Sequence, residues 1–387
     1  MKIGILTFWW SEDNYGQQLQ AYALQRYLRD AGHDAFLIRY NHENDLGRTN
    51  FFVRLLKALN PVILFRYFAQ KKRIADSKNE NELHSRHFCE FRKKYFKFSD
   101  KAYSSFEELK LNPPEADVYI VGSDQVWNFG NGNLRIIKNL IHSYFLDFGK
   151  TKTKRISYAA SWGRNNFFGN EKGEIQNLLK NFDSISVREK NGINLCEQIG
   201  CNDVKWVCDP TLLLNAHVYR NIYKEEKIQP PSNKYILFYY LENGGNFDKK
   251  AVWNFAREKN LEVQYVTGNA CIDNFDKIFA TVPEWLCLVD NAEYVITNSF
   301  HCCVFSILFE KKFAAIKLDG LNSGMNSRLE SLFEMTGCSE RYITDNDFKI
   351  LDESYSVNKD FALKKESEEF LKIALGKNNH KLKEEMH

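Results

Sequence analysis

The sequence has no excess of charge of either sign. Its 53 lysines and arginines nearly balance its 50 aspartates and glutamates, which leaves a net charge of +3 at pH 7. Nucleic-acid-binding domains usually carry a clustered basic face, and a balance this even does not indicate one. We therefore expect no nucleic acid among the partners of this protein.

Long apolar runs are also missing. A membrane-spanning helix needs about 20 consecutive apolar residues, and no such stretch occurs in the chain. The first residues, MKIGILTF, predict a strand, and no small-residue cleavage site follows them, so we do not expect a signal peptide. These two absences favour a cytoplasmic protein.

The nine cysteines lack the spacing of a metal site. They are scattered along the chain, no C-x-x-C occurs, and the only adjacent pair is Cys302-Cys303. Structural zinc sites take their ligands from pairs at set spacings, so we expect no metal. Scattered cysteines of this kind are typical of reduced thiols in the cytoplasm.

What the sequence does contain is a regular alternation of predicted strands and helices. A strand at 2–8, a helix at 17–31 and a strand at 35–38 form a unit that implies a right-handed crossover between parallel strands. A second αβ series follows Pro230-Pro231 and ends near residue 316. The pattern predicts an α/β fold with two Rossmann-like, doubly wound domains that face a cleft.

The pattern also predicts domain boundaries. We place an N-terminal domain at residues 1–214, a C-terminal domain at 215–352 and a helical tail at 353–387. Residues 45–115 are less regular, and we expect a helical insertion packed on the first domain. An alternative for this stretch is a surface that touches anionic lipid at the inner face of the membrane, because Lys71-Lys72-Arg73 follows an interrupted apolar run.

Polar residues collect where the predicted strands end. In open parallel sheets, ligands bind beyond the carboxyl ends of the strands. Any one of these ends could be a plain turn with a helix cap, but five of them facing one cleft indicate a site. The polar residues are Asn14, Gly16 and Gln17 after the first strand, Asp124 and Ser161 after two later strands, Arg188 with Glu189, and the segment TNSFH at 297–301.

His301 is the most informative of these residues. It lies between an apolar strand and a predicted helix, and a helix start favours an anion through its free N–H groups and its positive dipole end. Ser299 could add a hydroxyl donor, and the histidine could add a charge or move a proton. The alternative is that His301 packs in the second domain with its ring satisfied by backbone. The neighbouring Asn298 and Ser299 favour a functional role.

Six segments follow one another in a specific order and spacing. They read NYGQQLQAYAL at 14–24, VGSDQVWN at 121–128, SYAASWG at 157–163, SVRE at 186–189, DPT at 209–211 and TNSFH at 297–301. Each segment alone is a loose match, but together they resemble the polysaccharide pyruvyl transferases. The resemblance implies a glycosyltransferase-B-like architecture with the site between two domains.

The resemblance also implies an activity. Members of this family transfer the enolpyruvyl unit of phosphoenolpyruvate to two hydroxyls of one sugar, which gives a cyclic pyruvate ketal and phosphate. The acceptors are glycans of capsules, exopolysaccharides or cell walls, often while lipid-linked, which would bring a cytoplasmic enzyme to the membrane periphery. Phosphoenolpyruvate is then the donor substrate, and no cofactor is implied.

Two residues of the family's site match this chain directly. The family's histidine matches His301, and its basic residue at a strand end matches Arg188. Some members have an arginine two positions before the histidine, where this chain has Ser299. Arg328 is a candidate substitute for that cation, and so are Lys311 and Lys312.

The expected chemistry fits these residue types. Phosphoenolpyruvate carries a phosphate and a carboxylate, and arginine binds both groups bidentately. Protonation of its methylene carbon and deprotonation of the sugar hydroxyl need general acid–base groups, and we assign these roles to His301 with Asp124 or Glu189 as partner. We predict that the substrate is bound by Arg188, Ser299, Asn298, Asn326, Arg328, Asn14, Gly16, Gln17 and Ser161.

Two other functions fit the same pattern. One is a sugar-nucleotide-dependent glycosyltransferase on the same fold, whose site would also lie between two such domains. The other is a catalytically silent glycan-binding protein, which the serine at position 299 keeps open.

Overall fold

The fold is seen in a computed structural model that describes residues 1–42, 72, 84–129, 134–167, 171–241, 247–268, 271, 273–318, 324, 326–338, 341–343, 346–355 and 361–376. The strands of these ranges are β1 Lys2–Leu6, β2 Asp34–Tyr40, β3 Phe98–Tyr103, β4 Val118–Val121, β5 Lys154–Ser157, β6 Ile185–Val187, β7 Val204–Trp206, β8 Tyr235–Tyr240, β9 Glu262–Thr267, β10 Tyr294–Thr297 and β11 Lys312–Ala315. The α-helices are α1 Tyr15–Asp30, α2 Phe88–Tyr95, α3 Phe106–Leu111, α4 Leu134–Tyr144, α5 Glu171–Leu179, α6 Asn191–Glu197, α7 Ala216–Glu225, α8 Lys250–Glu258, α9 Val282–Asn291, α10 Phe300–Leu308, α11 Asn326–Thr336 and α12 Ala362–Gly376.

The first sheet is parallel and has the strand order β3-β2-β1-β4-β5. Two isolated bridges, Ile156 with Ser184 and Ala160 with Val187, continue it toward the parallel pair β6 and β7. Its central strands are buried on both faces, which explains why they appear in the sequence as short, continuous apolar runs. All carboxyl ends therefore lie at one edge.

The second sheet is also parallel, with the order β11-β10-β8-β9. Every residue of β8 is buried, and helices connect its strands as the alternation predicts. The prediction of an α/β fold with two doubly wound, Rossmann-like halves is confirmed. The boundaries at 214 and 352 stay a prediction.

The two halves share a continuous core at the start of α1. The phenol of Tyr15 donates a hydrogen bond to the carbonyl of Ala280 at 2.7 Å. Its ring stacks on Trp285 with centroids 5.1 Å apart. Aromatic stacking of this kind adds to the free energy of apolar burial, so the first helix is anchored in the second half of the chain.

The part of the stretch at 45–115 that the structure describes contains a strand as well as helices, and the helical insertion stays a prediction. Residues 98–103 form β3, the edge strand of the first sheet, between the short helices α2 and α3. Three consecutive exposed residues in the middle of β3 leave it without an apolar run, as is common on sheet edges. Residues 45–71 and 73–83, with the predicted lipid-facing surface, lie outside the described residues.

The last helix returns to the first half of the chain. The backbone N–H of Cys208 donates to Ser367 Oγ on α12 at 2.9 Å, and Lys154 Nζ donates to the carbonyl of Ala374 at 3.1 Å. The predicted helix at the chain end is therefore confirmed, and it closes the core behind β7. Among the helices in the described ranges, none has the length and apolar composition needed to cross a bilayer.

We expect Ser367→Ala to lower the free energy of unfolding by about 1–3 kcal/mol, because it leaves the buried N–H of Cys208 without its acceptor. Urea denaturation followed by circular dichroism measures the change. Ser354→Ala, at an exposed position, is the matched control and should have no effect. Equal stability of the two variants would show that α12 does not depend on this bond.

Candidate active site

A buried carboxylate lies at the centre of the polar strand ends. Asp209 follows β7 and has no exposed surface. Its Oδ2 accepts hydrogen bonds from Ser123 Oγ at 2.7 Å and from Arg188 Nη1 at 3.0 Å. Its Oδ1 accepts from the backbone N and the Oγ1 of Thr211 at 3.0 and 2.6 Å.

These contacts decide the charge of Asp209. Burial alone would raise the pKa of the carboxyl, but the charges of His301 and Arg188 and the hydrogen bond from Thr211 outweigh it and hold the pKa well below its ordinary value. The carboxylate is therefore ionised at neutral pH. Sequence reasoning gave Asp209 no role, although an acidic residue at a strand end beside a strand-end arginine was the available signal.

His301 lies in the first turn of α10 and is 7% exposed. Its Nε2 is 3.6 Å from Asp209 Oδ2 and makes no hydrogen bond to any described residue. This arrangement does not match the alternative in which backbone groups satisfy the ring. A buried ring nitrogen beside a carboxylate, with no hydrogen-bond partner, can donate to or accept from a bound molecule.

Two helix starts meet at this histidine. Asn14 caps α1 by accepting from the N–H of Gln17 at 3.1 Å, and Ser299 caps α10 by accepting from the N–H of Cys302 at 3.4 Å. A Cβ added to Gly16 would lie 2.1 Å from His301 Nδ1, so only glycine permits this approach. The positive ends of two helix dipoles therefore converge where an anion would be stabilised.

Arg188 follows β6 and is 1% exposed. Besides Asp209, it donates to Ser123 Oγ at 3.2 Å and to Glu189 Oε1 at 3.3 Å, and its guanidinium lies 4.4 Å from the ring centroid of Phe300. Burial by itself lowers the pKa of Arg188, but the charges of Glu189 and Asp209 reverse the direction and raise it. The guanidinium is therefore held as a fixed positive charge.

Arg328 brings a second guanidinium to the site from α11. It is half-buried, and burial together with the nearby charge of Arg188 lowers its pKa to about 10, against the opposing effect of Glu189 and Asp124. The two arginines thus lie within each other's electrostatic field. Mutual repulsion of this kind favours binding of an anion between them.

The other proposed substitutes for the missing cation lie elsewhere. Lys311 and Lys312 precede and begin β11, at the amino edge of the second sheet and opposite the site. Lys311 Nζ donates to the carbonyl of Asp290 at 2.9 Å. The expectation that either lysine could replace the missing cation is therefore corrected in favour of Arg328.

Two more carboxylates border the arginines. Asp124 has a φ of 76° and accepts the N–H of Gln125 at 2.8 Å, so a turn in the left-handed region holds it. Glu189 Oε1 accepts from Ser161 Oγ. Its Oε2 is buried and has no donor among the described residues. That oxygen is free to accept a hydrogen bond from a bound hydroxyl.

Three predicted binding residues are engaged with backbone instead. The side-chain amide of Asn298 accepts from Leu241 N and donates to Leu241 O, at 2.8 and 2.6 Å. Asn326 makes the same pair of bonds to Leu318, at 3.0 and 2.8 Å. Gln17 Oε1 accepts from Ser11 N at 2.7 Å. We therefore expect these residues to shape the loops of the site and not to bind substrate through these groups.

The arrangement defines what the site can do. It combines two guanidiniums and two helix starts with His301 Nε2 and Glu189 Oε2, neither of which has a hydrogen-bond partner among the described residues. Within the ranges that the structure describes, no group of three or more His, Cys, Asp or Glu side chains has the arrangement of metal ligands. The residues present can bind a multiply charged anion and transfer protons next to it.

We expect Gly16→Ala to displace the ring of His301, because the new methyl carbon would overlap Nδ1. Overpacking of this kind costs about 1–3 kcal/mol of unfolding free energy. Chemical denaturation measures the loss, and histidine ring signals in NMR report the displacement.

Gly173→Ala is the matched control for that substitution. Gly173 lies within α5 and has nothing within 4 Å of the added carbon. The control should match the wild type or gain up to about 1 kcal/mol from helix propensity. A Gly16→Ala protein with wild-type stability and an unchanged His301 signal would contradict the close approach.

We expect Asp209→Asn to cost about 3–5 kcal/mol at neutral pH, because it leaves Arg188 buried beside a neutral group. The depressed pKa of Asp209 means that its contribution is full above the unfolded pKa of about 3.9 and is lost as pH falls toward the folded value. The stability difference between wild type and variant, measured by urea denaturation, should therefore stay constant from neutral pH to about pH 4 and shrink as the pH falls further. A difference that does not change with pH would mean that Asp209 is not ionised.

Comparison with known proteins gives both a sequence match and a structural match. A family model described as "Polysaccharide pyruvyl transferase" matches residues 14–320, which include the whole stretch at 45–115. A comparison with curated proteins found no significant match.

Solved structures show the fold. UDP-GlcNAc 2-epimerase from Methanocaldococcus jannaschii, in complex with UDP-GlcNAc and UDP, superposes with a TM-score of 0.51 at 12% identity, over 97% of this chain and 99% of that chain. The Neisseria meningitidis UDP-GlcNAc 2-epimerase bound to UDP-GlcNAc gives 0.50 at 9% identity, over 97% and 100%. At these identities the likeness shows the fold alone, which is glycosyltransferase-B-like as predicted.

Proposed function

The chain belongs to the polysaccharide pyruvyl transferase family, and we propose that it transfers the enolpyruvyl group of phosphoenolpyruvate to two hydroxyls of one sugar residue in a surface glycan precursor. The product is a cyclic pyruvate ketal, and phosphate is released. The single observation that carries this proposal is the convergence of Arg188, Arg328 and the two helix starts beside His301.

The donor has the charge pattern that this convergence would accept. Phosphoenolpyruvate presents a phosphate and a carboxylate on the same carbon atom, C2. Arg328, which is half-buried, would bind one of these groups through its guanidinium fork. The starts of α1 and α10 would bind the other through backbone N–H groups.

The reaction requires two proton transfers. Two C–O bonds form at C2 of the donor, its C–O bond to phosphate breaks, and the two protons of the sugar diol end on C3 and on the phosphate. His301 would deliver the proton to C3 as the first hydroxyl attacks C2. Glu189 Oε2, buried and without a donor, would accept the proton of that hydroxyl, with Asp124 as the alternative base.

The proposal also covers where the protein acts in the cell and which small molecules the reaction needs. Phosphoenolpyruvate serves as donor substrate, and the proposed steps require no cofactor or metal. The acceptor is a glycan, free or lipid-linked, that the enzyme meets in the cytoplasm or at the cytoplasmic face of the membrane.

A sugar-nucleotide-dependent glycosyltransferase is the second candidate function. The observation in its favour is the fold shared with epimerases whose structures contain UDP-GlcNAc. One fold hosts many reactions, so the donor decides between the two. A catalytically silent glycan-binding relative would bind a donor without turning it over.

The deciding experiment offers the purified protein phosphoenolpyruvate and, separately, UDP-sugars, each with a panel of synthetic and lipid-linked glycosides. Phosphate release coupled to a pyruvate-sized mass gain on the glycoside supports the proposal. Consumption of a UDP-sugar instead would show that the protein is a glycosyltransferase. Binding of phosphoenolpyruvate in calorimetry, without any turnover, would indicate the catalytically silent relative.

We expect His301→Gln to remain folded, to keep binding phosphoenolpyruvate and to lose about 10²–10⁴ in turnover, because glutamine keeps a hydrogen bond but cannot deliver a proton. Calorimetry measures donor binding and phosphate release measures turnover. The control is Ser327→Ala, which removes a half-buried polar group in the first turn of α11 and should leave turnover unchanged. Near-normal turnover by His301→Gln would move the acid role to another group.

A further inference from the structure

A groove with a volume of about 430 Å³ opens beside the end of β1 and takes no part in the site described above. Its walls are formed by the segment that follows β1, by β2, and by α2 with the start of β3. The lining residues, which we call the Trp9 groove, are Trp9, Arg39, Cys89, Arg92, Lys93, Phe96 and Phe98.

One wall of the Trp9 groove is a fixed aromatic surface. The indole Nε1 of Trp9 donates to the carbonyl of Tyr40 at 3.1 Å. The edge-to-face contact of Trp9 with Phe98, with centroids 4.7 Å apart, holds the ring from the side. Because Trp9 is half-exposed, part of its indole remains open to a ligand. A rigid aromatic side chain binds at little cost in conformational entropy.

The groove also carries two available cations. The guanidinium of Arg39 lies 4.8 Å from the ring centroid of Phe98, and both Arg39 and Lys93 are exposed. Neither has an ion-pair partner among the described residues. Arg92, by contrast, is engaged with Glu12 and with the carbonyl of Ser11, so it shapes the groove and does not add a free charge.

The groove and the candidate active site both lie beside the segment that follows β1. Thr7 lies two residues before Trp9, and its Oγ1 donates to the carbonyl of Ser123, whose Oγ donates to Asp209. Two residues of extended chain span about 7 Å. The hydrogen bond from Arg92 to the carbonyl of Ser11 also fixes the loop that leads into α1. Gly16, in the first turn of that helix, contacts His301. This proximity along the chain is the basis for expecting that a glycan of a few sugar residues reaches from the site to the groove.

We propose that the Trp9 groove binds an acidic sugar residue of the acceptor glycan, next to the residue that is modified. The C–H face of the sugar packs on the indole of Trp9, and a carboxylate or phosphate on the sugar binds Arg39 and Lys93. The choice of an acidic sugar follows from charge complementarity, because exposed cations beside an aromatic wall match an anionic group on a ring. Only the identity of the ligand as acceptor rests on the proposed function.

Direct binding to the full-length protein tests this without turnover. The probes are methyl glucuronide, glucose 1-phosphate and the neutral methyl glucoside. Saturation-transfer NMR and tryptophan fluorescence measure their binding. We expect the two acidic sugars to bind more tightly than the neutral one. Arg39→Gln combined with Lys93→Gln should weaken the acidic sugars about tenfold, whereas Lys150→Gln, at an exposed lysine elsewhere, should not.

The aromatic wall has its own control. Trp9→Phe and Trp9→Ala both remove the bond to Tyr40, but only phenylalanine keeps a ring for the sugar. Binding of all three sugars should be weaker in Trp9→Ala than in Trp9→Phe. Equal binding by the two variants overturns the packing of sugar on this side chain.

Other outcomes overturn the proposal as a whole. Equal binding of acidic and neutral sugars, or no binding of either, removes the acidic sugar as the ligand. Binding to phosphatidylglycerol vesicles that is lost in the Arg39/Lys93 variant, without sugar binding, assigns the groove to a lipid headgroup. Self-association that the same variant abolishes assigns it to a second copy of the chain. A protein that fails to consume phosphoenolpyruvate yet binds acidic sugars refutes only the proposed function.

Discussion

The carboxylate of Asp209 is the contact on which the candidate active site depends. Its two oxygens connect the loop after β4, the end of β6 and the turn after β7, and Oδ2 lies 3.6 Å from the histidine of α10. Three loops and a helix from the other half of the chain thus converge on one buried negative charge. A buried charge is tolerated only when it is fully paired, so each contact restrains the others.

A second constraint comes from the absence of a side chain. Gly16 lets the ring of His301 lie directly against the start of α1, which brings two helix starts from different halves of the chain to one point. The arginines on either side come from different halves as well, since Arg188 follows β6 and Arg328 lies on α11. Backbone dipoles and the fixed guanidinium of Arg188 therefore act close to one point, and such preorganised charge needs little rearrangement when an anion binds.

Most of the fold, and part of the site, could be predicted from local patterns. Buried parallel strands are short apolar runs, and this signal identified β1 and β2 but not β3, whose middle is polar because it lies at the sheet edge. Strand-end position pointed to His301 and Arg188, and the family resemblance placed Arg328 among three candidate cations. The same rule pointed to Asn298, whose side-chain amide holds the neighbouring loop through Leu241.

The sequence by itself determined the α/β class, the two parallel halves and the family resemblance, because these depend on periodicity and on residue order along the chain. Only the tertiary structure decided that Asp209 links the site, that Arg328 and not Lys311 or Lys312 accompanies Arg188, and that Gly16 touches His301. The reason is physical: ion pairing, burial and steric contact depend on distances between residues far apart in sequence. A local pattern gives the position of each residue along a strand or helix but not the neighbour it meets.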